Sequence, residues 1–182
     1  MKGQAMSEKY SCAIETPLGG LLVKAEDGKL TELRFSDEFS EASALNEAEL
    51  PLFRSVREWL SSYFAGEDPK ADIPLNPGGT PFRREVWNML LEIPHGELVS
   101  YGELAKEYSV RHGGKMSAQA VGGAVGSNPI SIIIPCHRVI GTGGNLTGYG
   151  GGLLRKLRLL ELEGVSTAKL FFPKSEIGRA RR

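Results

Sequence analysis

Sulfur and imidazole are scarce in this chain: two cysteines, Cys12 and Cys136, and three histidines, His95, His112 and His137, in 182 residues. No Cys-x-x-Cys pair occurs and the histidines fall at no metal-ligand spacing, so no metal and no cofactor is expected. No run approaches the roughly 20 apolar residues a membrane helix needs. The first residues, Met1 to Ser7, lack the apolar core of a signal peptide. These absences lead to the expectation of a reduced, intracellular, metal-free protein with no membrane span. An excess of charge is missing too, with 22 Lys/Arg against 22 Asp/Glu. Bulk charge therefore gives no reason to expect a polyanionic partner.

The distribution of charge does. Residues 1–79 hold eight Lys/Arg and fourteen Asp/Glu, and residues 80–182 hold fourteen and eight, so the halves carry −6 and +6. An acidic structural half beside a basic functional half is the simplest reading. The first 35 residues alternate short apolar runs with turns, and Asp27-Gly28 between two such runs predicts a hairpin. Residues 36–50 are acidic and polar, a surface loop or a short helix. Leu52, Val56, Trp59, Leu60 and Phe64 follow helical spacing. The segment 65–80, rich in proline and glycine, reads as an interdomain linker.

Beyond it, Thr80-Pro81 is an N-cap followed by proline at the first helical position, with a helix expected up to Pro94. Ser100 is expected to cap a short helix to about Tyr108. A polar turn, 111–115, would then lead to a second helix from Ser117 to about Val125. Two short helices joined by a turn resemble a helix-turn-helix. A helical wheel puts Ala118, Val121, Gly122 and Val125 on one side of the second helix. Gln119, Ala120, Gly123, Gly126 and Ser127 lie on the other, which carries almost no bulk. Glycine inside a helix costs about 1 kcal/mol relative to alanine, so Gly122 and Gly123 need a compensating role. Close packing against a neighbouring helix and close approach to a nucleic-acid backbone both supply one.

The chemistry centres on Cys136. The apolar run Ile130-Ser131-Ile132-Ile133-Ile134 is short and β-branched, and reads as a buried strand or extended chain. Pro135 fixes the backbone where Cys136 leaves it. His137 and Arg138 place two potential cations nearby, which would favour the reactive thiolate. Cys12 reads as an inert core thiol. The loop Gly141 to Gly152 lacks the Lys-Ser/Thr and the Gly-x-Gly-x-x-Gly of phosphate-binding loops, and reads as a mobile wall over a pocket. A last helix, about Leu153 to Glu163, holds six leucines and stops before Gly164. The tail from Phe171 to Arg182 is expected to fray, with Phe171-Phe172 as its anchor.

Five blocks occur in order: Ser100-Tyr101-Gly102, Ala120-Val121-Gly122-Gly123-Ala124, Ser127-Asn128-Pro129, Pro135-Cys136-His137-Arg138-Val139 and Gly148-Tyr149-Gly150-Gly151-Gly152. Together they resemble the alkylguanine-DNA alkyltransferases (methylated-DNA–protein-cysteine methyltransferases) over essentially all of 80–182. The resemblance implies an α/β + α architecture. An N-terminal ribonuclease-H-like α/β domain (1–79, including the linker) would precede a helical, winged-helix-like domain (80–182) that binds DNA and carries the reactive cysteine. It also implies single-turnover, irreversible transfer of an alkyl group from 6-O-alkylguanine in double-stranded DNA to Cys136, with 4-O-methylthymine as a second candidate substrate. The target nucleotide would be flipped into a pocket, at a cost of a few kcal/mol.

The catalytic set so implied is Cys136 as nucleophile, His137 as its base, Glu163 orienting the imidazole and Asn128 holding the cysteine turn. The helical wheel does not select Glu163, because Glu161 lies nearer the centre of the leucine stripe. Tyr101 would donate to a ring nitrogen of the flipped guanine, and Val139, Tyr149 and Gly150 would frame the base. Arg138 would be structural. Gln119, Ala120, Gly123 and Ser127 would face DNA. Many relatives have an arginine at the position of Gln119, filling the gap left by the flipped nucleotide; glutamine would do so without charge, with Arg111 and Lys115 compensating. A monomer is expected, cytoplasmic and associated with the nucleoid when bound. Two rival readings stand beside this one. A DNA-binding regulator or damage sensor has no use for Cys136, and a cysteine hydrolase would turn over, whereas water cannot release an S-alkyl cysteine.

Overall fold

The computed structural model describes residues 7–36, 50–70 and 72–173, and they separate into two compact units, 1–78 and 79–182. The expectation for residues 36–50 falls almost wholly outside the described residues. In the first unit, strands β1 (Lys9–Ile14), β2 (Leu21–Glu26) and β3 (Lys29–Phe35) form an antiparallel sheet in chain order. The β2–β3 hairpin turns at Asp27 and Gly28, with φ of 49° and 72°. Two consecutive positive φ values are what a two-residue type I′ turn requires. Alternation along the strands, interrupted in β3 by the register shift opposite Lys24 and Ala25 that sets Leu30 and Leu33 three apart, sends Cys12, Ile14, Leu21, Val23, Ala25, Leu30, Leu33 and Phe35 to the interior. Helix α1 (Pro51–Phe64) adds Phe53, Val56, Leu60 and Tyr63 to this core. The segment read as a linker is partly structural. Leu30 N–H donates to the Pro74 carbonyl and Asn76 N–H to the Leu30 carbonyl, both at 2.8 Å, which binds residues 74–76 to β3.

The second unit opens with α2 (Pro81–Leu91), whose N-terminus is capped by Thr80 as its sequence suggests. A two-residue strand, β4 (Val99–Ser100), runs into α3 (Tyr101–His112), where Ser100 and Glu103 form a reciprocal capping box. Helix α4 (Ala118–Gly126) starts on the Ser117 cap. Val121, Ala124 and Val125 form its buried face, and Ala118, placed inward by the wheel, is exposed. Strand β5 (Val139–Ile140) pairs in parallel with β4, Val99 opposite Val139 and Ser100 opposite Ile140. This short pairing sets the N-terminus of α3 beside the cysteine turn. Helix α5 (Leu153–Leu162) closes the unit, and Phe171 is held by main-chain bonds to Gly144 and Leu146 as the expected anchor, while the fraying expected of the tail concerns residues 174–182, outside those described.

Trp87 ties α2 to α4: its indole N–H donates to the Ala124 carbonyl at 2.8 Å in a buried setting. Trp87→Phe removes that bond and part of the ring's buried area, and is expected to lower the unfolding free energy by about 1–2 kcal/mol. Urea unfolding of the two proteins measures it; equal midpoints would mean the indole bond contributes nothing.

Candidate active site

The isoleucine run before Cys136 is buried, with Ile130, Ile132, Ile133 and Ile134 at most 4% exposed, but it is neither a strand nor extended. Ile133 N–H donates to the Ser131 carbonyl at 2.8 Å across Ile132, whose φ is +70°. That is a γ-turn of the rare positive-φ kind, strained for a β-branched residue by about 1–3 kcal/mol. Ile134 N–H then returns to the Ile130 carbonyl, and Cys136 N–H to that of Ile134. Pro135, at φ −82° and ψ 61°, sits at the centre of an inverse γ-turn. β-Branching favoured extension, but Asn128 prevents it. Its side-chain amide donates to the Ile130 and Ile134 carbonyls at 3.2 and 2.8 Å, while its Oδ1 accepts from Ile130 N–H at 3.0 Å. These bonds take up groups a strand partner would have used, and coil the chain into a knot of turns.

The same Asn128 amide nitrogen lies 3.1 Å from Cys136 Sγ. Cys136 opens a 3₁₀ turn (Cys136–Arg138) and is 6% exposed. Burial pushes its thiol up, and the Asn128 bond and the Lys156 charge act the other way. The cations that sequence adjacency proposed are therefore not the ones that matter at sulfur. His137 and Arg138 both turn to Glu163 instead.

Glu163 is the charge centre of the site. Its Oε1 lies 2.6 Å from His137 Nε2 and accepts from one Arg138 terminal nitrogen at 3.0 Å. Oε2 accepts from Arg138 Nε at 2.9 Å and from Gly96 N–H at 3.1 Å. Burial raises this carboxyl, but bonds and charge from His137 and Arg138 prevail and hold it well below its usual range. Desolvation pushes His137 below its ordinary value despite Glu163, so the resting imidazole is neutral and able to accept a proton. Arg138 also donates to the Ile93 carbonyl at 2.6 Å.

The wheel's preference for Glu161 is overturned. Glu161 pairs with Arg158 near the surface, whereas Glu163 caps α5 and turns inward. The buried stripe of α5 is Lys156, Leu159, Leu160 and Glu163, so two of its four members are ions and Leu154 is 54% exposed. Sequence reading missed Lys156 altogether, although its i, i+3, i+4, i+7 relation to Leu159, Leu160 and Glu163 was available. Its side chain is 0% exposed, and Nζ donates to the Val139 carbonyl at 2.5 Å and the Thr147 carbonyl at 2.7 Å. Burial lowers it to about 8, opposed by Cys136.

Tyr101, the first residue of α3, sends its hydroxyl to the Thr147 and Gly148 carbonyls at 3.0 and 3.3 Å. Burial first, then Cys136, raises it to about 12. A cavity of about 420 Å³ lies beside it, walled by Ala118, Gly122, Gly141, Thr142, Thr147 and Gly148. A second, of about 390 Å³, lies across the same loop and includes Tyr149 and Gly150. Cys136 lines neither. Val139 is fully buried and Tyr149 is 9% exposed, its phenol raised first by burial and then by Cys136.

On the helix pair, Gln119, Ala120 and Gly123 are exposed, as is Lys115 in the turn, while Ser127 is partly buried and bonds the Ala124 carbonyl. The two glycines of α4 differ. A Cβ on Gly122 would meet the Tyr101 ring at 3.7 Å, and one on Gly123 would meet nothing within 4 Å. Arg111 corrects an expectation. Helix α3 runs on to His112, so Arg111 lies in its last turn rather than in a polar loop. Glu92 holds it in a fork at 2.8 and 2.5 Å, and Glu107 adds a contact at 2.5 Å. Its guanidinium is paired with two partly exposed carboxylates within the unit.

Comparison with known proteins gives one result along the whole chain. Residues 81–165 match the family model "6-O-methylguanine DNA methyltransferase, DNA binding domain", and residues 9–77 match the ribonuclease-like domain of the same family. A methylated-DNA–protein-cysteine methyltransferase from Mycolicibacterium paratuberculosis is 48% identical over 151 residues, covering 82% of this chain and 89% of the relative. One from Haemophilus influenzae is 44% identical over 163 residues, covering 88% and 89%. Among solved structures, the Mycobacterium tuberculosis O6-methylguanine methyltransferase superposes with a TM-score of 0.73 at 41% identity, covering 90% of this chain and 96% of that one. The Mycobacterium tuberculosis OGT in complex with DNA matches equally, at 0.73 and 41%, covering 88% and 94%.

A carboxyl held low stabilises the fold above its ordinary value and loses that contribution as pH falls through the range below it. The chain is therefore expected to lose stability between about pH 5 and pH 3 more steeply than its Glu163→Gln variant, which has no proton to take up there. Urea unfolding across that range measures the difference. Parallel curves for the two proteins would contradict a depressed Glu163.

Proposed function

The chain belongs to the 6-O-methylguanine DNA methyltransferase family, and from that premise we propose that it repairs DNA by moving an alkyl group from the 6-oxygen of guanine onto its own Cys136. The observation that carries this reading is a single 3₁₀ turn. It presents Cys136 Sγ to the Asn128 amide at 3.1 Å and turns His137 onto Glu163 at 2.6 Å. A regulator or sensor has no use for a thiol so held.

The resting thiol is neutral and desolvated, and His137 beside it in sequence is neutral too. His137 takes the thiol proton, with Glu163 stabilising the imidazolium. The thiolate attacks the alkyl carbon, the S–C bond forms and the bond from that carbon to the guanine 6-oxygen breaks. Guanine leaves with the electron pair and is reprotonated at the expense of His137, so the net change is alkyl for hydrogen on sulfur. Asn128 and the buried Lys156 favour the negative charge that sulfur carries on the way. Tyr101 exchanges the Thr147 and Gly148 carbonyls for a ring nitrogen of the leaving guanine, and Val139, Tyr149 and Gly150 frame the base. No water step releases the alkyl group, so each molecule acts once.

Docking on double-stranded DNA uses α4, with Ala120, Gly123 and Ser127 toward the backbone and Lys115 supplying charge. Small side chains cannot make bidentate base contacts, so recognition is of shape and phosphates rather than of sequence. We place the protein in the cytoplasm, at the chromosome; none of the described helices is long and apolar enough to cross a membrane.

Incubation with duplex DNA carrying 6-O-methylguanine is expected to add one methyl group to the intact protein, never more than one, on the peptide containing Cys136. Cys136→Ala and Cys136→Ser should abolish the gain while leaving DNA affinity within about twofold, since the docking helix is elsewhere. No gain in the parent, or methylation of Cys12 in the variants, would sink the assignment.

Gln119 stands on the exposed face of α4, and its length suits it to fill the gap left by the flipped nucleotide. Gln119→Ala is expected to slow repair by about tenfold, the worth of one contact in a desolvated gap, and Gln119→Arg to preserve or improve it. Single-turnover rates on methylated duplex decide; if both variants match the parent, residue 119 is a bystander to extrusion.

A further inference from the structure

We infer that the turn Pro94–Glu97 is a positioning element for alkyl transfer, with Gly96 as its working residue, holding Glu163 by Oε2 so that Oε1 stays on His137. The inference rests on the proposed roles of Cys136, His137 and Glu163, and deepens them.

Its geometric basis lies outside the cysteine turn. After α2, Glu97 N–H closes on the Pro94 carbonyl at 3.2 Å, and Gly96, third in that turn, has φ +78°. A β-turn with positive φ at its third residue strongly favours glycine. The stretch 93–96 grips the buried ion pair at two points. The Ile93 carbonyl accepts from Arg138 at 2.6 Å, and the Gly96 amide donates to Glu163 Oε2 at 3.1 Å. Space is restricted as well as conformation, because a Cβ on Gly96 would lie 2.9 Å from the Glu163 carbonyl oxygen. Neither main chain can yield there without shifting Glu163.

Such a grip is needed because His137 and Arg138 compete. Both reach Oε1, at 2.6 and 3.0 Å, and Arg138 also holds Oε2. The Arg138 fork is already formed, one prong on each carboxylate oxygen, with the imidazole sharing Oε1, so that one oxygen serves two partners. The Gly96 amide anchors the carboxylate through Oε2 from outside the cysteine turn, which keeps Oε1 in place for both. With the carboxylate fixed, an imidazolium on His137 is stabilised and can form at neutral pH. With it loose, ionisation of the thiol depends on hydroxide from solvent.

Two perturbations test this: Gly96→Ala, and an amide-to-ester exchange between His95 and Gly96, which removes the N–H donor and adds no bulk. Single-turnover methyl transfer from a duplex carrying 6-O-methylguanine is read across a pH series, alongside DNA affinity, with Glu163→Gln as control. Both perturbed proteins should be slower near neutral pH on the order of tenfold, the loss for one hydrogen bond to a charged group. They should recover as pH rises and should bind DNA as the parent does. An equal slowing at every pH, or an ester protein that matches the parent, overturns the inference. If Gly96→Ala does not fold, the ester protein alone decides. A parent-like pH profile in Glu163→Gln would refute the underlying reading of His137 and Glu163. A displaced profile there with none in the ester protein would refute the role of Gly96 alone.

Discussion

One buried carboxylate organises the second unit. Glu163 collects His137, Arg138 and the Gly96 amide, drawing two separate segments onto the end of a third. The cysteine turn is three residues long, Pro94–Glu97 is an isolated turn, and Glu163 itself stands past the last residue of α5. A buried ion is costly unless fully paired, so its partners are held to one arrangement. What would be a liability in a core built for stability becomes a register pin in a site built for chemistry. The alignment of Cys136 with its surroundings follows from satisfying that charge.

Sulfur is treated in the opposite way. Glu163 is fully paired and ionised, whereas Cys136 is desolvated and kept a thiol. Asn128 and Lys156 are poised to favour its charged form, yet Lys156 is itself depressed by burial to about 8 and its bonds go to the carbonyls of Val139 and Thr147. A nucleophile that can be used once gains from being unreactive until the substrate arrives. A permanently exposed thiolate would be open to oxidation and to stray alkylating agents. The resting state suits a reagent that must not be wasted.

How much of this the sequence disclosed depends on whether the signal was local. The Asp27-Gly28 hairpin and the caps at Thr80, Ser100 and Ser117 were readable because their causes lie within a few residues. The isoleucine run was misread as strand or extended chain because its conformation is set by Asn128, whose amide occupies the carbonyls that a strand would offer. The leucine wheel chose Glu161 because it counts apolar side chains, and the inward stripe of α5 begins and ends with ions. Arg111 was read as a free cation in a turn because its partner Glu92 is nineteen positions away. The last two errors share an origin, a polar group with a partner distant in sequence, whereas Asn128 acts over two to six positions through side-chain bonds that periodicity does not weigh. The family resemblance supplied Glu163 where periodicity could not, and neither pointed to Gly96 or Lys156.

The two glycines of α4 show how docking and chemistry are joined. Both looked alike as unexplained costs in a helix of about 1 kcal/mol each. A Cβ on Gly122 would rest in ordinary contact with the Tyr101 ring, and one on Gly123 would stand in open space on the exposed side. On the proposed docking face, the bare position at Gly123 leaves a smooth surface for a nucleic-acid backbone to approach. Because Tyr101 begins α3 and is tied by β4 to β5 beside the cysteine turn, a duplex seated against α4 lies within one packed layer of the pocket wall. On the proposed reading α4 is the partition between DNA and thiol, and it carries the helical cost of two glycines there.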